Sequence, residues 1–224
     1  MLKILKTNYI NINLKLIFFI LLLFAHTNKT YCLELINFEL KTNSYDHFNG
    51  VIEIPAGSID KLEYNYDTKE ITEIWEKGNR RIINYIGYPV NYGFLPKTLS
   101  GDNDPLDILV LGNQISTGSI VKVKVIGGIN FIDNGLRDYK IISILSPDNS
   151  NYKDDADKEY FNQLYYKVDR LSDLENNFRG IIDIMTIWFE NYKGRGKIDF
   201  EGYLNKNETI NLIISSNKNF LKKK

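Results

Sequence analysis

The stretch Asp102-Asn103-Asp104-Pro105-Leu106-Asp107 places three carboxylates within six residues. Gly101, Asn103 and Pro105 are turn residues, so Asp102 and Asp104 are expected to project from a loop. Ile108 to Leu111 is short, apolar and bounded by turn signals, which predicts a buried strand with Asp107 at its mouth. Like charges this close raise one another's pKa unless something neutralises them. A hard divalent cation would do so, since it takes several oxygen ligands. A solvated acidic turn is the alternative. A calcium EF-hand loop is not: its sixth position needs Gly and is Asp107, and its twelfth needs an acid and is Asn113.

Other residue types capable of chemistry lie along the chain. Glu53 lies within the β-like run Val51–Pro55, and Lys61 and Glu63 share one face of an alternating segment. Arg80 and Arg81 precede the aromatic stretch Tyr88-Pro89-Val90-Asn91-Tyr92. Asp133 and Asp138 flank a hairpin signal at Asn134-Gly135, and Lys140 follows. Tyr192 and Lys193 fall where a helical pattern stops. Taken singly, each fits a solvated surface or a packed core. Histidine chemistry is disfavoured, because His26 and His47 lie outside every acidic cluster. One cysteine, Cys32, excludes an intrachain disulfide and a cysteine zinc site.

The positioning elements read as short strands followed by helix. Val51–Pro55, Lys61–Asp67, Arg80–Ile83, Ser119–Phe131, Tyr139–Leu145 and Lys197–Tyr203 carry β patterns, with a bulge or bend expected at Gly127-Gly128. Residues 87–96 read as a rigid aromatic loop. Ser172-Asp173-Leu174-Glu175 reads as a capping box opening one long helix, whose apolar face runs from Leu174 to Phe189 and which Gly194 stops. The end from Lys218 reads as a frayed polar tail. The order predicts an α+β, mainly β fold with a twisted antiparallel sheet or small barrel, in one domain.

The chain of 224 residues has 28 basic and 28 acidic side chains. That balance argues against a nucleic-acid binder. Lys3, Lys6 and Lys15 precede the apolar run Leu16 to Ala25, the pattern of a secretory signal peptide. The run is too short for a stable membrane span, which takes about 20 residues. Thr30 and Cys32 fit a cleavage site, giving Leu33 as the mature start. The partition is then 1–32 leader, 33–215 catalytic domain and 216–224 tail. Export to a periplasm or medium follows if the leader works; a cytoplasmic or organellar location is the alternative.

Together these residues resemble the soluble family I inorganic pyrophosphatases. Asp102-Asn103-Asp104-Pro105-Leu106-Asp107 matches the family signature Asp-x-Asp-Pro-hydrophobic-Asp, and the other residues follow in order over about residues 50–205. The resemblance implies an OB-like five-stranded β-barrel flanked by helices. It implies Mg²⁺-dependent hydrolysis of pyrophosphate to two orthophosphates by a metal-activated water. Asp102, Asp107 and Asp138 match positions that hold Mg²⁺, and Asp104 the position that takes the water's proton. Asp133, Glu53 and Glu63 match further metal positions. Lys61, Arg80, Tyr92, Lys140, Tyr192 and Lys193 match phosphate-binding positions, with Tyr88 beside them. It also implies a homo-oligomer, a hexamer at this short bacterial size or a dimer as in eukaryotes. Leu62 departs from the Tyr usual between Lys61 and Glu63, and spacing favours Arg80 over Arg81 for the site. A rival class is a non-catalytic barrel that binds phosphorylated ligands or single strands; the acidic clusters count against it.

Overall fold

A chain rich in short β-branched runs must pair every strand edge or leave it open to other chains. The computed structural model describes residues 34–147, 149 and 154–223. The leader, with His26, Cys32 and Leu33, lies outside these residues. The chain enters strand β1 (His47–Ile54) and makes an excursion through two small ribbons. These are β2 (Leu62–Asn65) with β3 (Glu70–Glu73), and β4 (Trp75–Glu76) with β5 (Asn79–Arg80). It returns to the main sheet as β6 (Asn91–Phe94), β7 (Asp107–Leu111), β8 (Ile120–Asp133) and β9 (Leu136–Leu145). Strands pair in the order β1-β6-β7-β9-β8, and β8 pairs back onto β1. This closes a ring of five strands in which only β7 and β9 run parallel. The expected five-stranded barrel is therefore present.

Apolar side chains alternate along the strands and are buried on both faces of the sheet: Val121, Val123 and Val125 of β8 share one face, and Ile142 and Ile144 of β9, which pair with Gly127 and Lys124, lie on the other. The ladder between β8 and β9 shifts register between Val125 and Gly127, where the glycine pair predicted a bulge. Helices α1 (Asp155–Lys167), α2 (Leu171–Asn177) and α3 (Ile181–Asn191) follow, then β10 (Ile198–Leu204) on the far half of β8, then α4 (Lys206–Lys223). Among the described residues, no helix is long and apolar enough to cross a membrane.

Several sequence expectations change. The aromatic segment 87–96 is not all loop: Asn91–Phe94 is a wholly buried strand between β1 and β7. Only Gly can stand at 93, because a Cβ there would meet the Val51 carbonyl oxygen at 1.8 Å. Arg80–Ile83 is not a strand of the sheet. Arg80 closes the two-residue ribbon, and Ile82 makes a single bridge to Asp60. The long helix is two helices, broken where Gly180 takes φ +80°. The cap of α2 lies two residues before Ser172, at Arg170, whose N–H donates to the Asp173 carboxylate at 3.0 Å. Residues from Lys218 continue α4 as helix to Lys223 rather than fraying, since Ser216 and Asn217 anchor that helix to the loop carrying Leu99 and Lys97.

Candidate active site

The parallel pair of the barrel sets the centre of the site. Asp107, the first residue of β7, lies in register with Lys140 on β9. Asp138 is two residues from Lys140 and so shares its face of the strand. The Lys140 ammonium donates to the Asp138 carboxylate at 2.8 Å and also to Asp107. Lys140 is only 4% exposed. Burial works against its charge, but the two carboxylates outweigh it and hold its pKa well above the ordinary value. Burial pushes the Asp107 carboxyl up; Lys140 opposes the shift and Asp138 reinforces it.

A second wall comes from β1, β2 and β6. The β1–β6 register breaks between Ile52 and Ile54, at Glu53. Glu53 is buried and accepts the Tyr64 N–H at 2.8 Å. Burial raises its pKa to about 8, against the pull of Lys61 and that hydrogen bond and with repulsion from Asp107 and Glu63. Lys61 pairs with Glu63 at 3.0 Å. Both Lys61 and Lys140 point at the Tyr92 ring, 5.1 and 5.4 Å from its centre. Burial, then the Asp107 charge, hold the Tyr92 phenol well above its usual pKa, so it stays a neutral donor.

The acidic loop forms the rim. Its Asp104 N–H donates to the Asp102 carboxylate at 3.0 Å, and the Ser100 N–H to the Asp104 carbonyl at 2.7 Å. Asn103 takes φ +73°, a conformation that asparagine tolerates better than most residues. Burial, then the charges of Asp102 and Glu63, raise the Asp104 pKa; the Tyr66 hydroxyl, 3.5 Å away, opposes this. Across the cleft Lys193 pairs with Asp133. Tyr192 stacks flat on Trp188 (4.8 Å, 7°), and Trp188 donates to the Ile86 carbonyl at 2.9 Å.

Eleven of the expected site residues, and the expected base Asp104, line one cleft of about 340 Å³. Two expected residues do not. Tyr88 is buried behind the wall, 5.4 Å from the Tyr92 ring and 4.6 Å from that of Trp188. Arg80 is turned away and pairs with Glu73 (2.9 Å) and Asp60 (3.3 Å), while Arg81 reaches the cleft. Spacing favours Arg80, but the chain leaves the ribbon irregularly after that residue and Arg81 is the one that lines the cleft. Sequence reasoning also missed Tyr66 and Arg137, which line the same cleft. Arg137 sits beside Asp138 in the hairpin, a placement that could have marked it; Tyr66 lies past the end of β2 and carried no signal.

The cleft presents seven carboxylates (Glu53, Glu63, Asp102, Asp104, Asp107, Asp133 and Asp138) against five cations (Lys61, Arg81, Arg137, Lys140 and Lys193). Among the described residues, no three His, Cys, Asp or Glu side chains already form a metal cage. Asp107 and Asp138 instead converge on the Lys140 ammonium. An all-oxygen donor set with an excess of acids, open to water, suits Mg²⁺, which keeps several waters and needs few carboxylates per ion.

The family model described as inorganic pyrophosphatase matches residues 50–221. This chain belongs to the inorganic pyrophosphatase family. The mitochondrial inorganic pyrophosphatase of Saccharomyces cerevisiae is 32% identical over 194 residues, which are 74% of this chain and 58% of that protein. The inorganic pyrophosphatase of Saccharolobus solfataricus is 36% identical over 139 residues, 59% of this chain and 78% of that one. Among solved structures, the type I inorganic pyrophosphatase of Toxoplasma gondii superposes with a TM-score of 0.71 at 25% identity, covering 83% of this chain and 85% of that chain. The Plasmodium falciparum type I inorganic pyrophosphatase gives 0.68 at 29% identity, covering 82% of this chain and 61% of that chain. This family placement agrees with the barrel and with an acid-rich cleft at the mouth of β7.

Two outcomes follow from the geometry. Arg81→Ala should lower kcat/KM for pyrophosphate by about 10- to 100-fold, as loss of a charge-assisted hydrogen bond does. Arg80→Ala should stay within about threefold of the parent; steady-state kinetics on both variants decide which arginine faces substrate. The second outcome concerns Glu53 in metal-free protein. Its folded pKa of about 8 lies above its ordinary 4.5, so its contribution to stability is full below pH 4.5 and is lost as pH rises toward 8. Glu53→Gln keeps an acceptor for the Tyr64 N–H and does not titrate. In EDTA, its melting temperature should gain on the parent's from pH 5 to 9; parallel curves would refute this.

Proposed function

We propose that this chain hydrolyses inorganic pyrophosphate to two orthophosphates with Mg²⁺, using the cleft between the Asp102–Asp107 loop and the β8–β9 hairpin. The observation that carries the reading is the coexistence of seven carboxylates and five cations on one small wall. A site built only to bind a phosphorylated ligand or a nucleic-acid strand would present the cations without the acids. A polyanion entering this cleft meets an excess of negative charge unless divalent ions accompany it.

In this reading Asp102, Asp107 and Asp138 hold Mg²⁺, and Glu53, Glu63 and Asp133 serve further ions that arrive with substrate. A bound Mg²⁺ would supply screening of the phosphate charge and a lowered pKa for the attacking water. Asp104 takes the proton of that water; its raised pKa suits a base better than an ordinary aspartate would. Lys61, Arg81, Lys140 and Lys193 offset charge on the phosphoryl oxygens, and Arg81 can hold two oxygens at once. Tyr92 and Tyr192 donate neutral hydrogen bonds. Tyr88 acts behind them, packing on the Tyr92 ring and on Trp188, the ring on which Tyr192 stacks.

The resemblance also implies assembly into a homo-oligomer, a hexamer or a dimer. The outward face of α3, where Ile184 and Ile187 are more than half exposed, is a surface that self-association would cover. The leader 1–32 supports export of a mature chain starting at Leu33, against a cytoplasmic or organellar location.

The decisive experiment is release of orthophosphate from pyrophosphate with and without Mg²⁺. Asp104→Asn should cost about 10²- to 10⁴-fold in kcat with the fold intact. Equal rates in the variant and the parent would rule out Asp104 as the base, and no release by the parent would rule out the activity.

A further inference from the structure

The acidic loop hangs from the barrel between Leu95 and Leu106. Its neck is closed by the Leu95 N–H donating to the Leu106 carbonyl at 2.9 Å. The Thr98 hydroxyl, 1% exposed, staples the same neck from inside: it donates to the Leu95 carbonyl at 2.6 Å and accepts the Leu106 N–H at 2.9 Å. Further out, the loop leans on the carboxyl-terminal half of α4. The Ser216 hydroxyl, 3% exposed, accepts the Leu99 N–H at 3.0 Å and donates to the Leu99 carbonyl at 2.6 Å. Asn217 donates to the Lys97 carbonyl at 2.7 Å, and Lys223 to the Asn103 side chain at 3.1 Å.

Between these bonds lies an apolar hollow of about 210 Å³, walled by Leu99, Pro105 and Phe220. The underside of the loop is thus not locked by close packing, which elsewhere fixes such segments. Its place is set by hydrogen bonds, chiefly from two buried hydroxyls that touch neither substrate nor metal positions.

We infer that Ser216 and Thr98 are positioning residues that hold Asp102 and Asp104 in the geometry the reaction needs, so that α4 is a working part of the site. This rests on the proposed pyrophosphatase reading for the roles of the two aspartates. Residues that orient metal-binding carboxylates from behind typically matter 10- to 100-fold for metal affinity or activity.

The test uses Ser216→Ala, Thr98→Val and a control, Thr209→Val. Ala favours helix more than Ser, so the first variant keeps α4. Thr209 is fully buried on the same helix, and among the described residues its hydroxyl bonds to the Asn205 carbonyl one turn earlier, away from the loop. The expected result is a rise of about tenfold in the Mg²⁺ concentration for half-maximal activity in Ser216→Ala and Thr98→Val, with faster amide exchange at Ser100–Asp104 and weaker Mg²⁺ binding by calorimetry without substrate. Thr209→Val should change the melting temperature alone. If Ser216→Ala and Thr98→Val lower only the melting temperature, leaving amide exchange and Mg²⁺ binding as in the parent, the inference is overturned. If the parent fails to cleave pyrophosphate, the reading of the activity fails, while exchange and calorimetry still judge the brace.

Discussion

The site depends on one buried ammonium shared by two carboxylates. Lys140 stands between Asp107 and Asp138 because β7 and β9 run parallel and in register at that point. A slip of one residue in β9 would turn Lys140 and Asp138 to the other face together and leave Asp107 uncompensated. Such a group left alone in a buried place is strongly destabilising. The register is therefore fixed by charge, because Ile141, Ile142 and Ile144 are buried on both faces of the strand and do not by themselves distinguish one register from the next.

The same economy recurs around the cleft. Lys61 is paired with Glu63 and Lys193 with Asp133. Lys61, Lys140 and Lys193 thus each hold a carboxylate that could hold a metal, while Arg81 pairs with Glu76 outside the cleft. A divalent ion alone would strand the lysines, and an anion alone would strand the acids. The two charges are best compensated when both arrive, so the wall favours a metal-bound polyanion over either component.

Much of this was legible in residue types and spacing. The Asp102–Asp107 motif and its following strand could be placed because turn residues and a β-branched run adjoin each other. The Asn134-Gly135 hairpin fixed the neighbourhood of Asp133 and Asp138. What could not be read depended on contacts distant in sequence. Asn91–Phe94 looks like loop by its Gly and Pro neighbours, and is a strand only because β1 and β7 bury it on both sides. Lys218–Lys223 looks like a solvated tail, and is helix because the residues before it, Ser216 and Asn217, bond to a loop nearly 120 positions earlier. Arg80 and Arg81 are indistinguishable by composition; which one faces the cleft was decided by where a two-residue ribbon ends.

The closed ring leaves the main sheet with one strand end to guard. β1, β6, β7 and β9 each have two partners and β8 has three, whereas β10 pairs with β8 alone. Its free side carries Asp199 and Glu201, and its ladder breaks register between Phe200 and Gly202, where Gly202 takes φ +133°. Charges and a kink are what keep an open edge from recruiting a stranger's strand. The strand therefore shields the molecule from sheet-to-sheet aggregation, a protection that the barrel achieves elsewhere by having no edge at all.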